Sequence, residues 1–151
     1  MLQLARHEDR LAVETLAHQV HALHVAWRPE LYEMVDSLYS PARFDDSVRN
    51  RQLYVAKIGG DVVGYVRITT QYYDYPGLVK RKVMILEEIG VREDCRSTGI
   101  GTQIMDDVKA LAKAFGCRDL QLGVYPQNDE AVAFYQKNGL TIRNIEMQMK
   151  L

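Results

Sequence analysis

The sequence has few of the residues that would mark a specialised class of protein. It contains two cysteines, Cys95 and Cys117, in 151 residues, and neither has Cys-x-x-Cys or zinc-ligand spacing. Reduced thiols are therefore expected rather than a disulfide framework. No apolar run approaches the roughly 20 residues of a membrane span, and the first residues lack the basic start and apolar run of a signal peptide. We expect a cytoplasmic protein with no membrane partner.

The sequence also lacks an excess of charge of either sign. It has 19 Lys and Arg against 20 Asp and Glu, for a formal net charge of −1. No global field or basic-aromatic stripe favours nucleic acid. The hydrophobic share of 47% is ordinary for a globular protein. Since no repeat or low-complexity linker divides the chain, we expect one domain over residues 1–151.

Three of the four histidines lie three residues apart. His18, His21 and His24 could share one face of a helix, which suggests a metal site. The alternative is a solvated or partly buried polar face. We favour the alternative and expect no metal, because no carboxylate or cysteine completes a ligand set.

The hydrophobic periodicity predicts a mixed α/β chain. The predicted strands are Leu2–Arg6, Leu53–Ile58, Val62–Thr70, Val83–Val91, Leu120–Val124 and one or two final strands within Leu140–Leu151. The predicted helices are Glu8–Val25, a short Glu30–Leu38, one from near Gly101 to Phe115, and one from Asn128 to Gly139. Gly59-Gly60 predicts a hairpin turn, and Tyr72–Gly77 a loop.

The segment from Arg96 to Gly101 joins an apolar strand to an amphipathic helix. Such a loop is suited to hold a phosphate, because the helix start presents unpaired N–H groups and the positive end of its dipole. Gly99 and Gly101 would let an anion approach the main chain, and Arg96 adds a positive charge. An ordinary strand-to-helix turn is the alternative. The dinucleotide fingerprint and the Walker A motif are both absent.

Two adjacent glutamates interrupt the apolar strand Val83–Val91. Alternation predicts that Glu87 and Glu88 point to opposite faces of the sheet. A charge in such a strand is costly unless it is paired or used. Pairing with an arginine such as Arg67 is one alternative, and a catalytic role is the other. Gly90 would permit a local bulge.

Four segments in order resemble the GCN5-related N-acetyltransferase (GNAT) superfamily. They are the loop Arg96-x-x-Gly99-x-Gly101, the strand Leu86–Val91, the run Asn128–Leu140 with its Phe134-Tyr135 pair, and the two ends Leu4–Asp9 and Glu146–Met149. The sequence departs from the family at Ser97, usually Gly, and at Thr98, frequently basic. The resemblance implies the GNAT fold, a central and mostly antiparallel twisted sheet of about six to seven strands flanked by about four helices.

The resemblance also implies acetyl transfer from acetyl-CoA to an amine. The cofactor-binding residues would be Arg96, Ser97, Thr98, Gly99, Ile100, Gly101 and Thr102 for the pyrophosphate, and Asn128 for the pantetheine arm or the phosphates. Backbone N–H groups within Ile89, Gly90 and Val91 would stabilise the oxyanion. Tyr135 would act as the general acid near the cofactor's sulfur, and Glu87, with Glu88 as its rival, would accept the amine's proton.

The acceptor stays open among polyamines, aminoglycosides, amino acids, protein lysines and protein N-termini. A catalytically silent acyl-CoA-binding regulator is the alternative function, although Tyr135 and a strand glutamate argue against it. Pairing of the apolar final strand would make a homodimer, an expectation that rests on analogy.

Overall fold

The computed structural model describes residues 1–151 and contains five strands and four α-helices. The strands are β1 (Leu2–Leu4), β2 (Leu53–Ile58), β3 (Asp61–Tyr73), β4 (Arg81–Val91) and β5 (Asp119–Leu122). The helices are α1 (Arg10–Trp27), α2 (Pro41–Arg49), α3 (Ile100–Ala114) and α4 (Asp129–Lys137). A short 3-10 turn, His7–Asp9, precedes α1. Another, Glu93–Cys95, lies between β4 and α3. None of the helices is both long and apolar enough to cross a membrane.

The strands form one sheet in the order β1-β2-β3-β4-β5. Neighbours are antiparallel from β1 to β4, and β5 is parallel to β4. The predicted mixed α/β architecture with a mostly antiparallel sheet is confirmed. The hairpin between β2 and β3 is also confirmed, and both of its turn residues, Gly59 and Gly60, have positive φ.

The core lies on both faces of this sheet. Alternation along β2 sends Tyr54 and Ala56 to a cluster with α3, and sends Leu53 and Val55 to a cluster with α1 and α2. The apolar stripe predicted for α3 supplies its buried residues, Ile104, Met105, Val108 and Ala112. The sheet is therefore covered by helices on both sides, which fixes the direction in which each strand residue points.

The predicted helix Glu30–Leu38 is wrong, since this stretch has only a turn after Pro29 and then irregular backbone. The carboxylate of Glu14 on α1 accepts hydrogen bonds from the Leu38 N–H at 2.7 Å and the Tyr39 N–H at 2.8 Å. These amides therefore bond to a side chain of another element instead of to helical carbonyls. β3 also runs further than predicted, to Tyr73, because Tyr73 pairs with Arg81 of β4.

The predicted final strands are wrong as well, so the sheet has five strands rather than six to seven. Residues 141–151 contain no strand and are exposed throughout. From Ile145 onward the apolar side chains alternate as a strand would require, but no strand of this chain pairs with them. A strand forms only where a neighbour accepts its hydrogen bonds, and here that neighbour is missing.

Candidate active site

The candidate site begins where β4 and β5 separate. β5 pairs with β4 from Val83 to Leu86 and ends at Leu122, so the following part of β4 has a neighbour only in β3. The Arg92 N–H donates to the Val63 carbonyl on β3 at 2.8 Å. Because amide groups alternate in direction along a strand, those of Ile89 and Val91 face the open edge. The open edge therefore contains the segment from Ile89 to Val91, whose backbone N–H groups are predicted to stabilise the oxyanion.

The loop predicted to hold phosphate lies beside this open edge. Arg96 donates from Nε to the Val91 carbonyl at 3.2 Å, and Thr98 donates its hydroxyl to the Cys95 carbonyl at 2.6 Å. Gly99 is the N-cap of α3 with a φ of 91°, and Ser97 also has a positive φ of 60°. These contacts hold the loop in a defined, exposed conformation at the start of a 15-residue helix.

The start of α3 leaves its first amide groups free. Gln103 is the first residue of the helix whose N–H is bonded, to the Gly99 carbonyl at 3.1 Å. The preceding N–H groups, from Ile100 to Thr102, have no acceptor within the helix. Together with the dipole of α3, they give this helix start the free donors and the positive end that the predicted phosphate loop requires.

The two glycines of the loop serve different purposes. A Cβ at Gly99 would meet nothing within 4 Å, so this position is open to an approaching ligand. A Cβ at Gly101 would lie 3.2 Å from the Phe134 ring. Gly101 therefore allows close packing of α3 against α4, a role that its place in the loop motif did not indicate.

Helix α4 carries the two remaining predicted residues. Asn128 is its N-cap and accepts a hydrogen bond from the Ala131 N–H at 3.2 Å through Oδ1, as its position predicted. Tyr135 packs against the cluster of buried residues between the sheet and α3. Its ring centroid lies 5.4 Å from that of Phe134. Burial raises the pKa of Tyr135 to about 12. Its hydroxyl is therefore protonated at neutral pH and able to donate.

A bulge in β4 changes the orientation of the two glutamates. Arg67 of β3 pairs with Glu88, but the next residue, Ile68, pairs with Leu86, so Glu87 is an extra residue. Both carboxylates consequently point to the α1 side of the sheet, where Arg67 and Thr69 contact them. The prediction of opposite faces is wrong, because alternation holds only in a regular strand.

Glu88 is fully engaged by the protein. Its Oε1 accepts from Arg67 Nε at 3.0 Å and from Arg43 Nη2 at 3.2 Å. Its Oε2 accepts from the Tyr39 hydroxyl at 2.9 Å and the Tyr65 hydroxyl at 3.0 Å. A carboxylate has about four acceptor positions, so all those of Glu88 are occupied. Of the two roles considered for the strand glutamates, pairing with an arginine such as Arg67 is therefore the role that Glu88 has in the structure.

Glu87 has more acceptor capacity left. It accepts one hydrogen bond, from the Thr69 hydroxyl to Oε1 at 2.7 Å. Its Oε2 lies 4.0 Å from Arg67 Nη2, which is beyond hydrogen-bond distance. Of the two carboxylates, Glu87 is the one that can accept a proton or a hydrogen bond from an incoming molecule.

An aromatic cluster beside the glutamates was not identified from the sequence. The His24 ring of α1 lies with its centroid 5.2 Å from that of Tyr32 and 5.9 Å from that of Tyr125. The Tyr32 and Tyr125 hydroxyls share a hydrogen bond of 2.7 Å. Burial lowers the pKa of His24, and the charge of His21 lowers it further, whereas Glu88 opposes the shift. Tyr32 and Tyr125 are 93 residues apart, so no local pattern could have paired them.

The three histidines do not converge on one point. His18 Nε2 lies 2.8 Å from a Glu14 oxygen, and His21 Nε2 lies 2.7 Å from the Glu33 carbonyl. His24 instead belongs to the aromatic cluster. Each therefore has its own protein partner, in keeping with a partly buried polar face.

Comparison with known proteins agrees with this geometry. The model of the Acetyltransferase (GNAT) family matches residues 4–140. A relative, the uncharacterized N-acetyltransferase MJ1207 of Methanocaldococcus jannaschii, is 30% identical over 92 residues, which are 61% of this chain and 40% of that protein. The match thus covers less than half the length of that relative.

Two further similarities extend over most of the chain. YwnH of Bacillus subtilis, provisionally named a phosphinothricin acetyltransferase, is 25% identical over 139 residues, covering 91% of this chain and 82% of that protein. The crystal structure of a mutant of the BH1408 protein of Bacillus halodurans superposes with a TM-score of 0.93 at 26% identity, covering 100% of this chain and 99% of that one. The fold and the family similarity therefore extend well beyond the loop motif.

Proposed function

Because the chain belongs to the GNAT family of acetyltransferases, we propose that it moves an acetyl group from acetyl-CoA to a primary amine by direct attack in a ternary complex. The observation that carries the proposal is the separation of β4 from β5 beside the free N-terminus of α3. This arrangement brings an anion site and an open row of backbone amides together. We take residues 1–151 as a single GNAT domain.

The proposed cofactor site uses the loop from Arg96 to Gly101. The free amides at the start of α3 and the hydroxyl of Thr102 would donate to the pyrophosphate, and the Arg96 guanidinium would add charge. Ser97 and Thr98 keep the loop's shape without the basic side chain that is frequent at position 98 in this family. Asn128 uses Oδ1 to cap α4, which leaves its Nδ2 to donate to the pantetheine arm or the phosphates.

The chemistry needs a donor for the developing oxyanion and an acid for the leaving thiolate. The outward amides at Ile89 and Val91 supply donors that are fixed before the substrate arrives, so no reorganisation is needed. Tyr135 is the proposed acid, because its hydroxyl is protonated at neutral pH and can donate to the leaving thiolate.

The amine must lose a proton before or during its attack. Presenting a lysine-like amine as neutral at pH 7.4 costs about 4 kcal/mol, given a reference pKa near 10.4. Glu87 is the proposed base, acting directly or through water, because it keeps free acceptor positions. Glu88 is proposed instead to hold Arg43, Arg67, Tyr39 and Tyr65 together.

The acceptor is proposed to be a small amine that enters between α1 and the residue 28–39 segment. Tyr32, Tyr125 and His24 form an aromatic wall there. Similarity to YwnH makes amino-acid-like amines the first class to test. Polyamines, aminoglycosides and peptides with a lysine or a free N-terminus complete the panel.

The experiment is thiol release from acetyl-CoA by the purified chain with each member of this panel. We expect release with one amine class and none without an amine. Acetyl-CoA binding is measured in parallel by calorimetry. Binding without release in any arm would favour a folded protein acceptor or the silent acyl-CoA-binding regulator. Absence of binding would contradict both functions.

A further inference from the structure

Arg67 keeps most of its hydrogen-bond donors free beside the two strand glutamates. Its one hydrogen bond runs from Nε to Glu88 Oε1 at 3.0 Å, and its Nη2 lies 4.0 Å from Glu87 Oε2, which is beyond hydrogen-bond distance. The Tyr54 hydroxyl is the one buried side-chain polar atom without a partner. The terminal nitrogens of Arg67, although unbonded, are therefore accessible to an incoming molecule.

Arg43 donates to the same oxygen of Glu88 but differs from Arg67 in this respect. Its Nη2 donates to Glu88 Oε1 at 3.2 Å, and its Nη1 donates to the Leu38 carbonyl. Its guanidinium carbon also lies 4.6 Å from the centroid of the Tyr39 ring. Since both terminal nitrogens of Arg43 have acceptors in the protein, Arg67 is the arginine of the pair that can bind a further group.

The free nitrogens of Arg67 lie next to the free oxygen of Glu87. Thr69 donates to Glu87 Oε1, whereas Oε2, the oxygen nearer to Arg67, accepts no hydrogen bond. A guanidinium binds a carboxylate through two parallel N–H bonds, and a carboxylate oxygen accepts from an ammonium. Donors and acceptor side by side therefore match an α-amino acid, in which a single carbon joins the carboxylate to the ammonium.

The formal charge of this cluster also suits a zwitterion, because two arginines balance two glutamates. Burial and then the charge of His21 lower the pKa of neighbouring His24 from its ordinary value, although the charge of Glu88 acts in the opposite direction. His24 is therefore largely neutral at pH 7. A polyamine or a lysine side chain would bring a cation without a carboxylate and leave Arg67 facing a like charge.

We propose that the acceptor is an α-amino acid, whose carboxylate binds the terminal nitrogens of Arg67 while its amino group binds Oε2 of Glu87. This inference rests on the proposed function and names the substrate class of the same site. In the transfer, the bond from nitrogen to the acetyl carbon forms and the bond from that carbon to sulfur breaks. The ammonium gives up two protons, the first to Glu87, and the thiolate takes one from Tyr135. The products are the N-acetyl amino acid, the CoA thiol and one released proton.

Pairs of acceptors that differ by the carboxylate alone test the proposal. Leucine is compared with isopentylamine and phenylalanine with phenethylamine, because apolar side chains suit the aromatic wall of the proposed acceptor entrance. Thiol release gives kcat/KM, expressed per neutral amine because the carboxylate also changes the pKa of the amine. In at least one pair we expect the amino acid to be favoured about 100-fold or more, since its analogue leaves the Arg67 guanidinium without a partner.

Two matched variants assign this preference to one side chain. Arg67→Gln and Arg43→Gln each remove one positive charge and one hydrogen bond to the same Glu88 oxygen, so both should disturb that network. Arg67→Gln should reduce the preference to less than about tenfold, whereas Arg43→Gln should leave it within about threefold of the unmodified chain. Arg67→Lys, which keeps the charge without the fork, should give an intermediate preference.

Calorimetry with CoA present measures the same site without the reaction. The favoured amino acid should bind the unmodified chain and Arg43→Gln, and should bind Arg67→Gln at least about tenfold more weakly. This pattern of binding without transfer to any amine would support the amino-acid site and contradict the proposed acetyl transfer.

Three results would overturn the amino-acid site. Transfer to amines with no preference for the carboxylate would do so and leave the proposed acetyl transfer intact. A preference that Arg67→Gln and Arg43→Gln reduce equally would mean that Arg67 acts only through Glu88. Neither binding of an amino acid nor transfer to any amine would contradict the site and the proposed function together.

Discussion

Glu87 and Glu88 are adjacent in the chain, and one extra residue in β4 turns both carboxylates to the same side of the sheet. Their surroundings differ in spite of this. Glu88 accepts from two arginines and two tyrosines, whereas Glu87 accepts only from Thr69. The pair thus separates a carboxylate whose acceptor positions are all occupied by the protein from one that keeps acceptor positions free.

The first prediction contrasts Glu88→Gln with Glu87→Gln. Glu88→Gln leaves Arg67 and Arg43 without their charged partner, so the free energy of unfolding should fall by about 1–3 kcal/mol. Glu87→Gln should leave stability within about 0.5 kcal/mol but lower kcat and remove the acidic limb of the pH–rate profile. Urea denaturation and steady-state kinetics measure the two effects. A stable Glu88→Gln protein that alone loses the acidic limb would reverse the assignment.

The second prediction concerns Tyr135→Phe. The ring and its packing on Phe134 remain, and only the hydroxyl is lost. We expect kcat to fall about 10- to 100-fold with KM for acetyl-CoA nearly unchanged, because the acid acts only when the thiolate leaves. Tyr72→Phe, at an exposed tyrosine of β3, is the control. Wild-type activity in Tyr135→Phe would reduce Tyr135 to a packing residue.

The third prediction tests the anion loop with two side chains of equal shape. Both Gly99→Asn and Gly99→Asp must adopt the positive φ of 91°, which these residues tolerate better than most, and neither Cβ meets a neighbour. The two variants differ in charge alone. Gly99→Asp should bind acetyl-CoA at least about 10-fold more weakly than Gly99→Asn in calorimetry. Equal affinities would mean that no phosphate lies at this helix start.

The fourth prediction concerns Gly90, where the backbone of β4 lies close to the Tyr65 ring. A Cβ at Gly90 would lie 2.6 Å from Tyr65 Cε1, so Gly90→Ala must displace the ring that bonds to Glu88. We expect a loss of about 1–3 kcal/mol in the free energy of unfolding. Gly123→Ala, where a Cβ meets nothing within 4 Å, should be nearly neutral. Similar stabilities of the two variants in urea denaturation would contradict the packing shown by Tyr65.

The fifth prediction is a loss of stability at alkaline pH. Burial, followed by the charge of Glu88, raises the pKa of Tyr39 and Tyr65, and burial raises that of Tyr135 to about 12. Unfolded tyrosines ionise near pH 10, so above that pH the unfolded state releases protons that the folded state retains. Stability should therefore be complete below about pH 10 and fall as the pH rises toward 12.

Urea denaturation at a series of pH values, combined with tyrosinate absorbance, measures this loss. The share of the tyrosinate absorbance that belongs to Tyr39, Tyr65 and Tyr135 should appear together with unfolding rather than before it. Tyr65→Phe should reduce the slope of stability against pH above pH 10. Early ionisation of all tyrosines in the folded protein would contradict the burial of these three rings.

The sequence by itself determined the features that depend on neighbours along the chain. The Gly59-Gly60 turn, the apolar stripe of α3 and the cap at Asn128 each follow from the stereochemistry of a few consecutive residues. The family resemblance on four short segments likewise indicated the mixed sheet and the family to which the chain belongs. The alternation of apolar and polar residues from Ile145 to Leu151 was also readable, although the absence of a strand there was not.

Only the tertiary structure decided which carboxylate is free and what surrounds it. The partners of Glu88 come from β3, α2 and the segment before α2, and the bulge at Glu87 depends on the register between two strands. The Tyr32–Tyr125 contact joins distant parts of the chain. Such contacts arise because packing brings together residues that lie far apart in the chain, and no local sequence pattern indicates that they will meet. Strand register acts in the same way, since a shift of one residue reverses the face of the sheet on which a side chain lies.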